Sequence, residues 1–293
     1  MALALEDVAT LGERLDHPEG VAWDPLDGTL VAGGESGQIY RIDPGKPTQR
    51  LWASTGGSLL GVAVDGAGAV YACDVEAHAV MRVDPRGRAR VYAAGSPADP
   101  WVAPNHLVFD PRGVLYVSDS GPWGADSGRI LAVAPGGAVR TWSREPRRFP
   151  NGLALSPDGR FLYVVESTLP GVARLPILDD GRAGARQEVR RMADTVPDGL
   201  AFAADGSLIV TCYRPDRVLR LGERGELEVV LDDWQAQRLS APTNAAFFGP
   251  RLERLALACF GGTWLAVCTP GPRGQPLHYP AAVAAQPAEG PPP

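Results

Sequence analysis

The chain has 293 residues, 45% of them hydrophobic, enough to bury a core as one large all-β domain or as two smaller domains. Its 28 basic and 34 acidic residues give a net charge of -6 and are interspersed rather than blocked, so there is no basic stripe of the kind that holds nucleic acid or an anionic membrane surface. No run of about 18 apolar residues occurs and Met1 to Glu13 carries no positively charged leader, which predicts a soluble, cytoplasmic protein.

Taken from the N-terminus, Val8 to Arg14 precedes a series of internal repeats and has no partner of its own, so it is predicted to add a strand to the last unit and close the structure. The repeats open in turn with His17-Pro-Glu-Gly-Val-Ala-Trp-Asp24, Leu59-Leu-Gly-Val-Ala-Val-Asp65 and Pro104-Asn-His-Leu-Val-Phe-Asp110. Pro150-Asn-Gly-Leu-Ala-Leu-Ser156, Pro197-Asp-Gly-Leu-Ala-Phe-Ala203 and Pro242-Thr-Asn-Ala-Ala-Phe-Phe248 complete the series. A turn such as Pro25-Leu-Asp-Gly28 or Ala204-Asp-Gly206 then leads to a second apolar run, a hairpin signal. A third run such as Gln38-Ile-Tyr-Arg-Ile42 and a weaker fourth such as Arg88-Ala-Arg-Val-Tyr92 follow.

Aligned residues at 19, 60, 105, 151, 198 and 243 are spaced by 41, 45, 46, 47 and 45. Four short strands per period of about 40 to 50 residues predict an all-β, six-bladed β-propeller with antiparallel blades. The 35 glycines and 28 prolines argue against helical solenoids. The expected domain is residues 1–280, with the Ala/Pro-rich tail 281–293 disordered. Cys73, Cys212, Cys259 and Cys268 form no CxxC pair and lie in apolar runs, so they read as buried thiols.

In a propeller the first strand of each blade lines the axis, so the aligned column Glu19, Leu60, Asn105, Asn151, Asp198 and Thr243 becomes a ring. Five of these six carry side-chain oxygen where an apolar residue is expected, and burying them costs several kcal/mol, on the order of a few per group, unless something satisfies them. A hard divalent cation does so, with Glu19, Asn105, Asn151 and Asp198 as candidate ligands; Ca2+ fits best, and Mg2+, Mn2+ or Zn2+ are the other ions considered. Without it, one of the two carboxylates should show a raised pKa. Capping of the strands or buried water is the competing reading.

A second column, Gly34, Asp74, Asp119, Glu166, Cys212 and Cys259, ends the second strands. From it Asp119 is a candidate substrate contact or support for the ligands, or else a surface turn acid. His106 should point away from Asn105 by strand alternation, and His17, His78 and His278 lack zinc-ligand spacing. No Gly-x-Ser-x-Gly elbow or activated Cys offers a nucleophile.

The Pro18-Glu-Gly20, Phe149-Pro-Asn-Gly152, Val196-Pro-Asp-Gly199 and Pro242-Thr-Asn244 steps resemble the superfamily of senescence marker protein, gluconolactonase and luciferin-regenerating enzyme over His17 to about Val267. The resemblance implies metal binding by Glu19, Asn151 and Asp198, metal or substrate binding by Asn105, and a general-base role for Asp198. It further implies a lactone or related ester as substrate; the charge pattern predicts no nucleic-acid or membrane partner, and the oligomeric state is left open between monomer and dimer.

Sugar-lactone enzymes of that group carry an Arg just before the third-blade Asn, whereas this chain has Trp101-Val-Ala-Pro104. Trp101, and Trp123 in the insertion Ser120 to Gly128, are therefore candidate walls of a more apolar substrate pocket, or else loop packing. A ligand- or peptide-binding propeller without activity and a strictosidine-synthase-like condensing enzyme are the alternatives, and the paired acids and amides favour the hydrolase.

Overall fold

Each repeat opening becomes the innermost strand of a four-stranded antiparallel sheet, and there are six such sheets. The computed structural model describes residues 3–46 and 48–281; the tail expected to be disordered lies outside the described residues apart from Ala281. The first blade runs outward through Val21–Asp24, Thr29–Gly33, Gln38–Ile42 and Gln49–Ser54, and the next four repeat that order. The sixth combines Pro242–Phe248, Arg254–Cys259 and Leu265–Cys268 with Ala9–Leu11 from the N-terminus, which pairs Ala9 with Val267 and Leu11 with Leu265. The predicted closure is thus present.

The second strands are mostly buried, along their whole length in Val70–Asp74 and Leu115–Asp119, because neighbouring blades cover both faces. This is why they read as continuous apolar runs rather than alternating ones. Outer strands such as Gln49–Ser54 and Gln187–Arg191 meet water and carry the polar residues. The core accordingly lies between blades: Tyr71, for example, stands edge-on to Tyr92 and Phe109 with ring centroids 4.9 and 5.0 Å away, filling the gap between the second and third.

An Asp closes the inner strand in the first three blades, and its side chain accepts the backbone N–H two residues on, at 2.9 Å from Leu26, 2.9 Å from Ala67 and 2.8 Å from Arg112. These Asx turns aim the chain back into the second strand. The four cysteines are buried free thiols.

Two further features position the site. In blades two to six the inner strand slips register near its start, between Leu59 and Val62, Pro104 and Leu107, Pro150 and Leu153, Pro197 and Leu200, and Pro242 and Ala245. Such bulges re-aim side chains, and here they fall on the aligned column. At the opposite end of the axis, residues 273–280 cross the propeller: Ala204 N–H donates to Arg273 O, Tyr279 OH to Trp23 O and Gly66 N–H to Pro280 O at 2.7 to 3.1 Å. This strap covers an apolar channel lined by Val62, Leu107, Leu153, Leu200 and Ala245.

Candidate metal centre

The bulged positions abut one another around the axis. A Cβ on Gly20 would lie 2.2 Å from Leu60 O, on Gly61 2.7 Å from Asn105 O, on Gly152 2.4 Å from Asp198 O and on Gly199 2.4 Å from Thr243 O. Only glycine permits backbones to approach so closely. Hydroxyls stitch the remaining joints: Ser118 Oγ donates to Asn151 O at 2.8 Å, and Thr243 Oγ1 donates to Glu19 O at 2.7 Å, completing the circuit.

Glu19, Asn105, Asn151 and Asp198 are all buried in this ring. Of five buried side-chain polar atoms without a hydrogen-bond partner among the described residues, three are Asn105 Oδ1, Asn151 Oδ1 and Asp198 Oδ1. The other two, Tyr116 OH and Thr168 Oγ1, belong to none of the candidate ligands. Asn151 is oriented by its own amide, whose Nδ2 donates to Ser167 Oγ at 3.3 Å, and Glu19 by Asn244, whose Nδ2 donates to Glu19 Oε2 at 3.2 Å.

Electrostatics point the same way. Burial pushes the Glu19 carboxyl from 4.5 up to about 8, against the opposing hydrogen bond from Asn244. Burial and the Glu19 charge together push Asp198 well above the ordinary carboxylate range, with Asn151 opposing. Both acids rise, where the sequence suggested one. Two carboxyls and two amide oxygens that lack donors are a set suited to a hard, oxygen-loving divalent cation. Among the described residues no three His, Cys, Asp or Glu side chains form a metal-holding group, so this is an acid–amide centre rather than a zinc-type one.

The remaining members of the column differ. Thr243 spends its hydroxyl proton on Glu19 O, and Leu60 leaves an apolar gap in the ring, half-buried. His106 turns into the channel beneath the ring, where Nδ1 accepts from Leu153 N–H at 3.2 Å and burial pushes its pKa down to about 4. It is neutral there and bonded to Asn244, behind the ligands rather than at the mouth.

Two sequence expectations need correction. Asp119 is not an exposed turn acid: it is buried, and its oxygens accept from Val102 N–H at 3.0 Å, Ala103 N–H at 2.8 Å and Arg129 Nε at 2.9 Å, which is the supporting role the sequence offered beside substrate contact. It staples the loop that delivers Asn105. Asp74 does likewise with Thr55 and Ser58, and Glu166 with Arg148 and Arg186. Trp101 is 4% exposed and packs with Tyr71, Cys73 and Leu131 between blades, so it fills core rather than walling a pocket. Trp123 is 61% exposed and stands edge-on to Phe149 at 4.8 Å.

Asn244, Ser167, Arg129 and Phe149 were not anticipated at the site. Asn244 and Phe149 left a signal, as flanking residues of the Pro242-Thr-Asn244 and Phe149-Pro-Asn-Gly152 steps.

A family profile described as SMP-30/Gluconolactonase/LRE-like region matches residues 17–259. A 6-deoxy-6-sulfogluconolactonase of Pseudomonas putida is 37% identical over 108 residues, 36% of each chain, so the alignment spans about a third of that relative's length. The structure of a gluconolactonase from Xanthomonas campestris has a TM-score of 0.76 at 21% identity, over 89% of this chain and 88% of that one. Regucalcin of Agrobacterium tumefaciens, a calcium-binding protein, has a TM-score of 0.75 at 19% identity over 92% and 97%. At such identities the two structures bear on the fold.

Proposed function

Since the chain belongs to the SMP-30/gluconolactonase/LRE-like family, we propose that it is a divalent-metal-dependent hydrolase of lactones or related esters, with calcium as the ion. The observation that carries this reading is the convergence of three partnerless ligand oxygens and two carboxyls of raised pKa on one axis. Glu19, Asn105, Asn151 and Asp198 would hold the ion, which when bound supplies Lewis-acid polarisation of the ester carbonyl and charge stabilisation as the oxyanion develops.

The chain's own groups do the rest. Asp198 is the general base: a carboxylate oxygen takes a proton from the attacking water and returns it to the departing alkoxide, a role suited to an acid whose proton affinity burial has raised. Asn151 fixes Asp198 by its hydrogen bond, and Asn244 fixes Glu19. The Asp119 staple fixes the loop entering Asn105. The blades exclude water from the sides of the ring, which leaves the mouth as the way in.

Asp198→Asn should abolish turnover of lactones while preserving the fold, and chelation should abolish wild-type turnover until calcium is restored. A panel of aliphatic and aromatic lactones, esters and organophosphates, assayed with and without chelator, checks both. Chelator-insensitive turnover, or purified protein that takes up no divalent ion when calcium is supplied, would overturn the reading.

A further inference from the structure

The geometry points to a substrate class: a lactone bearing an apolar or aromatic substituent, seated against the paired rings of Trp123 and Phe149. This rests on the hydrolase reading above and adds to it which esters the mouth accepts.

The insertion Ser120–Gly128 leaves the third blade at the ring end, since Asp119 pairs with Pro104. It is lashed to the strand that carries Asn151. Ser120 Oγ donates to Pro150 O at 2.7 Å, Gly128 N–H donates to Arg147 O at 3.0 Å, and Arg148 Nε meets Asp126 at 3.1 Å. A Cβ on Gly128 would lie 2.2 Å from Pro150 Cδ, so the returning loop rests directly on that strand.

Phe149 has φ of 57°, a left-handed conformation that bulky residues avoid, and it is held there by Ser167 N–H donating to its carbonyl at 3.1 Å. The Ser167 hydroxyl accepts from Asn151. One frame therefore sets both a metal-ligand candidate and the aromatic pair beside it. Trp123 keeps 61% of its surface exposed although its partner ring and its loop are fixed, a preformed apolar face.

In the second to fourth blades the strand-end acids and the arginines beside them are committed elsewhere. Asp74, Asp119 and Glu166 are bonded to their own loops, Arg129 to Asp119 and Pro100 O, and Arg148 to Asp126. Beside the aromatic pair the mouth presents the half-buried Leu60 and Val102 at 43% exposure, with the exposed Glu35 and Glu76 in the loops of the first two blades. A polyhydroxylated lactone needs donors and acceptors that these committed acids and arginines do not supply, whereas an alkyl or aryl group needs the apolar face on this side of the mouth.

The test uses the calcium-loaded full chain with γ-lactones of increasing alkyl length, dihydrocoumarin and glucono-δ-lactone, reading kcat/KM, and with the matching γ-lactams, reading affinity by calorimetry. Both readouts should rise with chain length, by about fourfold per methylene while the chain is being covered, and gluconolactone should be the poorer substrate. Trp123→Ala and Phe149→Ala should flatten that slope, losing roughly tenfold on the longest chains.

A wild-type slope near zero, a preference for gluconolactone, or an unchanged slope in Trp123→Ala overturns the proposal. Loss of calcium binding in both variants also overturns it, by assigning the pair to support of the ring. Should lactams bind with the expected slope while no lactone turns over, the hydrolase reading falls and the apolar site stands.

Discussion

A buried carboxyl beside another carboxyl can be satisfied by a proton or by a cation, and on the proposed reading the two compete at the axis of this protein. The Glu19 pKa rises from 4.5 to about 8, and Asp198 moves in the same direction. For an acid raised in the folded state, the associated stability is fully present below the unfolded value and is lost as pH climbs through the folded value. Ion-free protein should therefore lose melting temperature as pH rises from about 4.5 to about 8. Calcium should reverse the loss, and its affinity should rise over the same interval because each proton removed frees a ligand. Melting curves with and without chelator across that range check this, and a chelated protein equally stable at both ends would contradict it.

At the scale of elements, the bulges and the loop staples convert a repeated strand into a ring of candidate ligands. Arg129 serves the third blade: it bonds Asp119 and Asp99 and the carbonyl of Pro100, and is almost fully buried. Arg129→Met removes the charge from the middle of this group and leaves Asp119 buried without its cation, which should cost about 3 kcal/mol. The loop entering Asn105 would loosen with it, so calcium affinity should fall together with the urea midpoint. A variant that loses stability and keeps its calcium affinity would show that the staple does not position Asn105.

The blades themselves were legible, because each inner strand and its turn repeat a residue pattern that only a propeller satisfies. The oxygen column was legible for the same reason, since register along the repeat puts equivalent residues at equivalent places. The staples were not, as an acid at a strand end looks alike whether it meets solvent or a backbone N–H from a loop tens of positions away. Trp101 misled for a related reason: a Trp in a Gly- and Pro-rich loop resembles a pocket wall until the gap between two blades is seen to need its volume.

In the whole molecule, ring closure and the seating of the candidate ligand Glu19 share one seam. The last blade takes its outer strand, Ala9–Leu11, from the N-terminus, and Val8 is buried between the fifth and sixth blades. On the inner side of that seam Thr243 Oγ1 and Asn244 Nδ2, both from the sixth blade, bond the Glu19 carbonyl at 2.7 and 3.1 Å, and Asn244 also bonds the Glu19 carboxyl. Removing residues 1–14 strips the pairing from Leu265–Cys268, leaves an open sheet edge and exposes apolar surface worth about 1.5–3 kcal/mol for each large side chain uncovered. The melting temperature should drop sharply. Because the sixth blade also seats Glu19, the truncated chain should bind calcium more weakly even at temperatures where it stays folded. Calorimetric titration of truncated and full-length protein, run well below the truncated protein's transition, separates the two effects. Unchanged calcium affinity in a destabilised truncation would show that the seat of Glu19 is independent of the strand that closes the ring.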